Sequence, residues 1–198
     1  MDKSLPSCIN RRVNGQPTLE TERLLLRPLT PQDAPTLHQL AGRREIADTT
    51  ISIPHPYSEE QARQWIAGTA DLFAKGEGVA FGVQLKREGN LAGAAGLRDI
   101  DAEHSLAELG FWVAVEHWGQ GYATEAAGAV VSFGFQRLGL NRIYAHHMVR
   151  NPASGHVLAK IRMRPEGLLR QRVRKWGVFE DVVLMALLRA EWAEASKC

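Results

Sequence analysis

Cysteine is almost missing: Cys8 and Cys198, near opposite ends of the 198 residues, are the only two. With no C-x-x-C and no paired spacings, a disulfide framework and a dithiol redox centre are excluded. A reducing compartment, the cytoplasm, is the expectation. No apolar run approaches the roughly 18 residues of a membrane-spanning helix. The first 17 residues carry Asn, Gln, Pro and Arg where a secretory signal needs an apolar block, so neither export nor a membrane location is expected. An excess of one charge is also lacking. Lys plus Arg is 24 against 22 for Asp plus Glu, too even for an electrostatic nucleic-acid surface, so direct nucleic-acid binding is not expected and any anion site must be local.

What is present is a globular composition, 44% hydrophobic and 23% charged, on a length that suits one domain of about 150 residues with trimmings. Residues 1–17, broken by Pro6, Gly15 and Pro17, read as a loose tail, and 18–198 as a single domain. Glu22 to Leu29 reads as a first strand ending near Pro28. Thr30, Pro31 and Asp33 open a helix through Leu37, Leu40 and Ala41. Ser58 caps a second helix, whose apolar positions Ala62, Trp65, Ile66, Thr69, Leu72 and Phe73 recur at three- and four-residue steps until Gly76. Three strands follow, Val79 to Lys86, Leu91 to Ile100 and Leu106 to Val113, joined too tightly to be anything but antiparallel. Gly121 to Leu138 is a helix, Arg142 to Val149 a strand, and Pro152 to Ile161 a helix. Leu168 to Lys175 and Asp181 to Leu188 form a closing hairpin around Trp176-Gly177. Only the join through the Gly121 helix is long enough for a parallel crossover. The fold class is therefore α/β of the α+β kind, one mixed, mostly antiparallel sheet of about seven strands flanked by helices.

The strongest chemical signal is Trp118-Gly119-Gln120-Gly121-Tyr122-Ala123-Thr124, between a strand and the helix it opens. Two glycines let backbone approach a ligand, and the first N–H groups of a helix point at an anion, so a diphosphate suits this loop. A P-loop is excluded because no Lys-Ser or Lys-Thr follows the glycines. A dinucleotide loop fits poorly, since Thr124 stands at its third glycine position and the preceding strands are antiparallel. Coenzyme A is the remaining guest, and a glycine turn that only starts a helix is the plain alternative.

The runs AELGFWV, WGQGYATEAA, GLNRIYA, NPAS and EGLLRQRVRKWGVFEDVVL, in this order, resemble the GNAT acetyltransferases, specifically the ribosomal-protein N-acetyltransferases of RimJ and RimL type. The likeness spans about Leu19 to Trp192. It implies a GNAT fold, a single acetyltransferase domain over 18–198, and a sheet splayed between its fourth and fifth strands, Leu106-Val113 and Arg142-Val149. It further implies acetyl-CoA as donor, its diphosphate on the N–H groups of Gln120 to Thr124, and compatibility with a homodimer. Two departures are visible. Trp118 replaces the usual Gln or Arg at the head of the loop, and Arg162 in Lys160-Ile161-Arg162-Met163 replaces a glycine, so the helix end there loses its usual left-handed residue.

Acetyl transfer requires a neutral amine, a stabilised oxyanion and a proton for the departing thiolate. Glu108, on the strand beside the cleft, is the candidate base, directly or through water. The end of that strand, Phe111, Trp112, Val113 and Val115, offers backbone N–H groups to the oxyanion and a lining for the thioester. Asn151 and Ser154 fall where the family binds the pantetheine arm, with Ser154 the candidate acid. Each has a structural alternative: Glu108 as a solvent-facing strand residue, Asn151 as an ordinary helix cap. No metal is expected, because the histidines form no HExxH and the adjacent His146 and His147 point to opposite faces of a strand. Arg172, Arg174 and Lys175, with Arg170 in phase, are expected on one face of a strand, either greeting an anionic partner or protecting a sheet edge. The expected acceptor is a primary amine, foremost a protein N-terminal α-amine. A small amine such as an antibiotic, polyamine or amino acid is one alternative, and a non-catalytic CoA-binding module is another.

Overall fold

The computed structural model describes residues 15–195, so Cys8, Cys198 and most of the expected tail lie outside the described residues. The chain runs β1 (Leu19–Glu20), β2 (Leu24–Pro28), a 3-10 turn (Pro31–Asp33), α1 (Ala34–Ala41), α2 (Arg44–Thr49), α3 (Glu59–Lys75), β3 (Val79–Leu85), β4 (Leu91–Asp101) and β5 (Leu106–Val113). A 3-10 turn (Val115–His117), α4 (Tyr122–Gln136), β6 (Arg142–Met148), α5 (Pro152–Lys160), β7 (Arg164–Lys175), β8 (Val178–Leu188) and α6 (Arg189–Ala195) complete it. The sheet order is β1-β2-β3-β4-β5-β6-β8-β7. Its eight strands exceed the expected seven by β1, two residues too short to leave a sequence period.

Termini of α3 follow the chemistry of its ends. The Ser58 hydroxyl accepts from the Gln61 N–H, the Gln61 side chain accepts from the Ser58 N–H, and Gly76 closes the helix at φ +74°. Helices cover both sheet faces. Ala107 and Leu109 of β5 pack with Ala126, Val130 and Phe133 of α4. Trp112, an odd number of residues away and so on the opposite face, packs against Leu37, Ala62 and Ile66 of α1 and α3.

Among the described residues only β5 and β6 pair in parallel, through three rungs: Leu106–Arg142, Ala107–Ile143 and Glu108–Tyr144. β5 continues with β4 to Val113, and β6 with β8 to Met148. The sheet therefore opens into a wedge whose apex is Glu108.

Two local expectations are corrected. The Ile161 end of α5 keeps its left-handed turn without glycine: Arg162 stands at φ +70°. Its N–H bonds the Ala159 carbonyl at 2.9 Å, and the Met163 N–H bonds the Leu158 carbonyl at 3.0 Å, the paired bonds of a Schellman end. A left-handed non-glycine residue costs about 1–2 kcal/mol, part of which glycine returns through unfolded-chain entropy. Arg162→Gly is accordingly expected to raise stability by about 0.5–1 kcal/mol; an unchanged or lower denaturant midpoint contradicts this.

The second correction concerns the basic run. Between Leu169 and Val173 the register slips, with Gln171 at φ +51°, so Arg170 is not in regular phase with Arg172. Lys175 follows Arg174 and therefore faces the other way. It is buried, with its ammonium donating to the Thr50 and Ile53 carbonyls at 3.0 and 2.8 Å. Arg170, Arg172 and Arg174 stay exposed on edge strand β7.

Candidate active site

The loop before α4 is shaped by its glycines. Gly119 and Gly121 both have positive φ, +75° and +83°, a conformation open to glycine at little cost. Gly121 offers no side chain to cap the helix, and the first backbone bond there runs from the Glu125 N–H to the Gly121 carbonyl at 3.1 Å. The N–H groups of Tyr122, Ala123 and Thr124 thus precede every intrahelical acceptor and can meet an anion. Trp118 at the loop's head donates its indole N–H to the Val113 carbonyl at 2.7 Å, so the residue that departs from the family pattern ties the loop to the end of β5.

Two residues that sequence reasoning missed brace this mouth. Glu125, in the first turn of α4, accepts from the Thr21 hydroxyl and the Arg23 N–H at 2.6 and 2.8 Å. The Arg23 guanidinium donates to Glu125 at 2.7 Å and to the Gln120 carbonyl at 2.9 Å, and lies 4.5 Å from the Tyr122 ring centre. Burial pushes the Glu125 carboxyl up, but these donors outweigh it and hold the group below its ordinary value. Arg23 offsets a carboxylate that would otherwise repel a diphosphate. Its partners lie about a hundred residues away, beyond any local pattern.

On the other side of the sheet a cavity of about 720 Å³ holds Glu108, Phe111, Trp112 and Ser154 on its lining, together with Arg98, His146 and residues of α3 and the segment 49–54. The sheet register brings its polar cluster together. Arg98 is the cross-strand partner of Glu108 on β4 and Tyr144 its partner on β6, with His146 two residues farther on the same face. The Glu108 carboxylate accepts from Arg98 at 2.6 Å and meets His146 Nδ1 at 3.0 Å. Burial alone would push this carboxyl up; the hydrogen bonds from His146 and Arg98 and the Arg98 charge bring it below its ordinary value. Glu108 is 7% exposed, in the cleft and not on a solvent-facing edge.

The backbone alternation of β5 sets what faces the wedge. The Ala114 N–H bonds Ala92 on β4, and the Ser105 carbonyl bonds Asn141 at the start of β6. Odd positions therefore present their peptide groups to β6, which turns the N–H groups of Phe111 and Val113 into the wedge beyond its last rung. Val115 begins the following 3-10 turn. Asn151 caps α5, its Oδ1 accepting from the Ser154 N–H at 3.2 Å, and its amide also donates to the Thr49 carbonyl at 2.9 Å. Of the residues singled out from sequence, Glu108, Phe111, Trp112 and Ser154 share the cavity, while 118–124 form the separate mouth of α4. Among the described residues no three His, Cys, Asp or Glu side chains gather to hold a metal ion, and no helix is long and apolar enough to cross a membrane.

Comparison with known proteins agrees with this geometry. Residues 23–164 match the acetyltransferase (GNAT) domain family. The chain is 34% identical over 173 residues to an uncharacterized N-acetyltransferase of Bacillus subtilis, YoaA, covering 87% of this chain and 97% of that protein. It is 30% identical to a putative ribosomal N-acetyltransferase of the same organism, YdaF, covering 86% and 94%. Among solved structures, the Vibrio cholerae spermidine N-acetyltransferase with CoA and spermine superposes with a TM-score of 0.77 at 26% identity, over 87% of this chain and 99% of that one. The chain belongs to the GNAT acetyltransferases, enzymes that transfer an acetyl group from acetyl-CoA to an amine.

Proposed function

We propose that the acceptor is the α-amine at a polypeptide N-terminus, attacked onto acetyl-CoA directly in a ternary complex. The observation that supports this most is the single cavity that joins Glu108 and His146 to Ser154 beside the open strand end. An α-amine has an ordinary pKa near 8, against about 10.4 for an alkyl amine, so one carboxylate–imidazole pair suffices to take its proton. The cysteine distribution supports residence in the cytoplasm as part of this reading.

In this reading His146 receives the amine proton, and Glu108 holds its Nδ1 side, fixing the ring as a carboxylate does in other acid–base pairs. The amine nitrogen bonds to the thioester carbonyl carbon while the wedge-facing N–H groups of Phe111 and Val113 hold the oxygen's developing charge. The carbon–sulfur bond then breaks as the second proton of the attacking nitrogen passes through the Ser154 hydroxyl to the thiolate, leaving the serine neutral and the amide formed. The diphosphate rests on the N–H groups of 122–124, with Trp118, Gly119, Gln120 and Gly121 shaping its loop and Asn151 and Ser154 beside the pantetheine arm. A thiol near pKa 8.5 leaves readily, so Ser154→Ala is expected to slow turnover by about tenfold without abolishing it.

The test is thiol release from acetyl-CoA over a panel of peptides and small amines, with acetylated products identified by mass. Faster turnover of peptides than of any small amine is expected. Preference for a small amine would overturn the acceptor assignment. Equal background release by wild type and Ser154→Ala, with CoA still bound, would favour a binding module.

A further inference from the structure

The wall of the cavity opposite the catalytic cluster is the segment 49–54, and its backbone is held from behind. Arg150 donates to the Asp48 carbonyl at 2.9 Å, Asn151 to the Thr49 carbonyl at 2.9 Å, and Lys175 to the carbonyls of Thr50 and Ile53. Carbonyl and carboxylate oxygens are the groups that receive an ammonium. Three carbonyls of this wall, and that of the adjoining Asp48, already accept from the chain's own donors, two of them from a buried ammonium. The neighbouring Asp48 carboxylate is paired as well, with Arg150 at 3.0 Å.

The cavity offers a cation no unpaired carboxylate. Among the described residues Glu108 is the one carboxylate on its lining, and Arg98 and His146 hold it. From α3 the stripe Gln61, Trp65, Thr69 and Leu72, spaced by a helical turn, brings uncharged and apolar surface. An amine with a second ammonium would leave that charge without a carboxylate partner in a cavity that Arg98 also lines.

We infer that this acceptor site takes one amine on an apolar body and rejects a second positive charge, with Lys175 as a specificity-determining positioning residue behind its wall. The inference rests on the acetyltransferase reading and sharpens its substrate class. Lys175 acts without touching the acceptor: it fixes the 49–54 backbone and holds the Thr50 and Ile53 carbonyls on itself.

The experiment compares kcat/KM for two matched pairs: peptides beginning Ala-Leu and Ala-Lys, and hexylamine against hexamethylenediamine. Wild type is expected to prefer the singly charged member by roughly tenfold or more. Gln61→Glu places a carboxylate on the lining while its oxygen still accepts from the Ser58 N–H, so α3 keeps its cap. It is expected to shift the ratio toward the second member by about tenfold. Lys175→Met is expected to move the ratio the same way with CoA affinity unchanged, and Lys175→Arg to restore it. A wild-type preference for the doubly charged member, or a ratio unmoved by Gln61→Glu, overturns the inference. Equal losses for both members in Lys175→Met overturn the role of Lys175. Release with hexylamine but neither peptide refutes the polypeptide acceptor, leaving the amine ratio to decide here; no release with any amine refutes both.

Discussion

Glu108→Gln is expected to lower kcat by about 10²–10⁴-fold, because the proposed proton acceptor, His146, loses the carboxylate that orients it, while CoA binds as before. Glutamine keeps the shape and can still accept from Arg98, but it no longer carries the charge that stabilises a protonated His146. Calorimetric titration with CoA checks the second half, because in the proposed site the diphosphate rests on the 118–124 loop and the pantetheine arm beside Asn151 and Ser154, while the Glu108 carboxylate bonds only Arg98 and His146. A loss under about tenfold would show that Glu108 acts only as a structural partner of Arg98. The stability readout has a definite sign. Because the Glu108 carboxyl lies below its ordinary value in the folded protein, its contribution is present above the unfolded-state pKa and fades as pH falls through the lower folded one. The acid side of a melting-temperature curve is therefore expected to flatten in Glu108→Gln. An equally steep acid side would assign that loss to Asp33 and Glu125, whose carboxyls are lowered as well.

A large stability loss is expected at Gly96. A Cβ there would overlap the Val79 carbonyl oxygen and come within 2.9 Å of the Ala80 Cα, so strand β3 itself would have to move. Gly96→Ala is expected to cost roughly 3 kcal/mol, the upper range for overpacking a core. Its register partner across the ladder, Gly110, has nothing within 4 Å of the same position. Gly110→Ala is expected to leave the denaturant midpoint unchanged or slightly higher. Similar losses at both positions would mean that strand propensity, and not the approach of β3, decides the result.

Sequence made the elements with chemical ends legible. Ser58 and Gly76 bound α3 as read, and the two glycines before Tyr122 located the mouth of α4. α2, six residues without a capping side chain, carried no such signal and was missed, as was α6. The Arg98–Glu108–His146 cluster is a product of register across three strands, which no spacing in the chain encodes; Glu108 was found by its place in a strand and His146 only weighed as a metal ligand. In sequence Lys175 reads with its basic neighbours; alternation sets it opposite Arg174 but does not say which of the two sides is buried. At Arg162 the sequence departed from the glycine rule, yet the helix end kept its geometry, because the bonds from residues 162 and 163 favour that turn.

A sheet that parts after three rungs has inner margins as well as outer ones. The outer margin at β7 is exposed to other chains, and there arginines and a slipped register discourage docking. The margins of β5 and β6 that diverge beyond Glu108 carry similar unpaired peptide groups, but they face each other inside the molecule, where a foreign polypeptide cannot lie down. Strand-templating capacity that would invite aggregation on a surface is thereby confined to a slot suited to a slender amide-bearing chain.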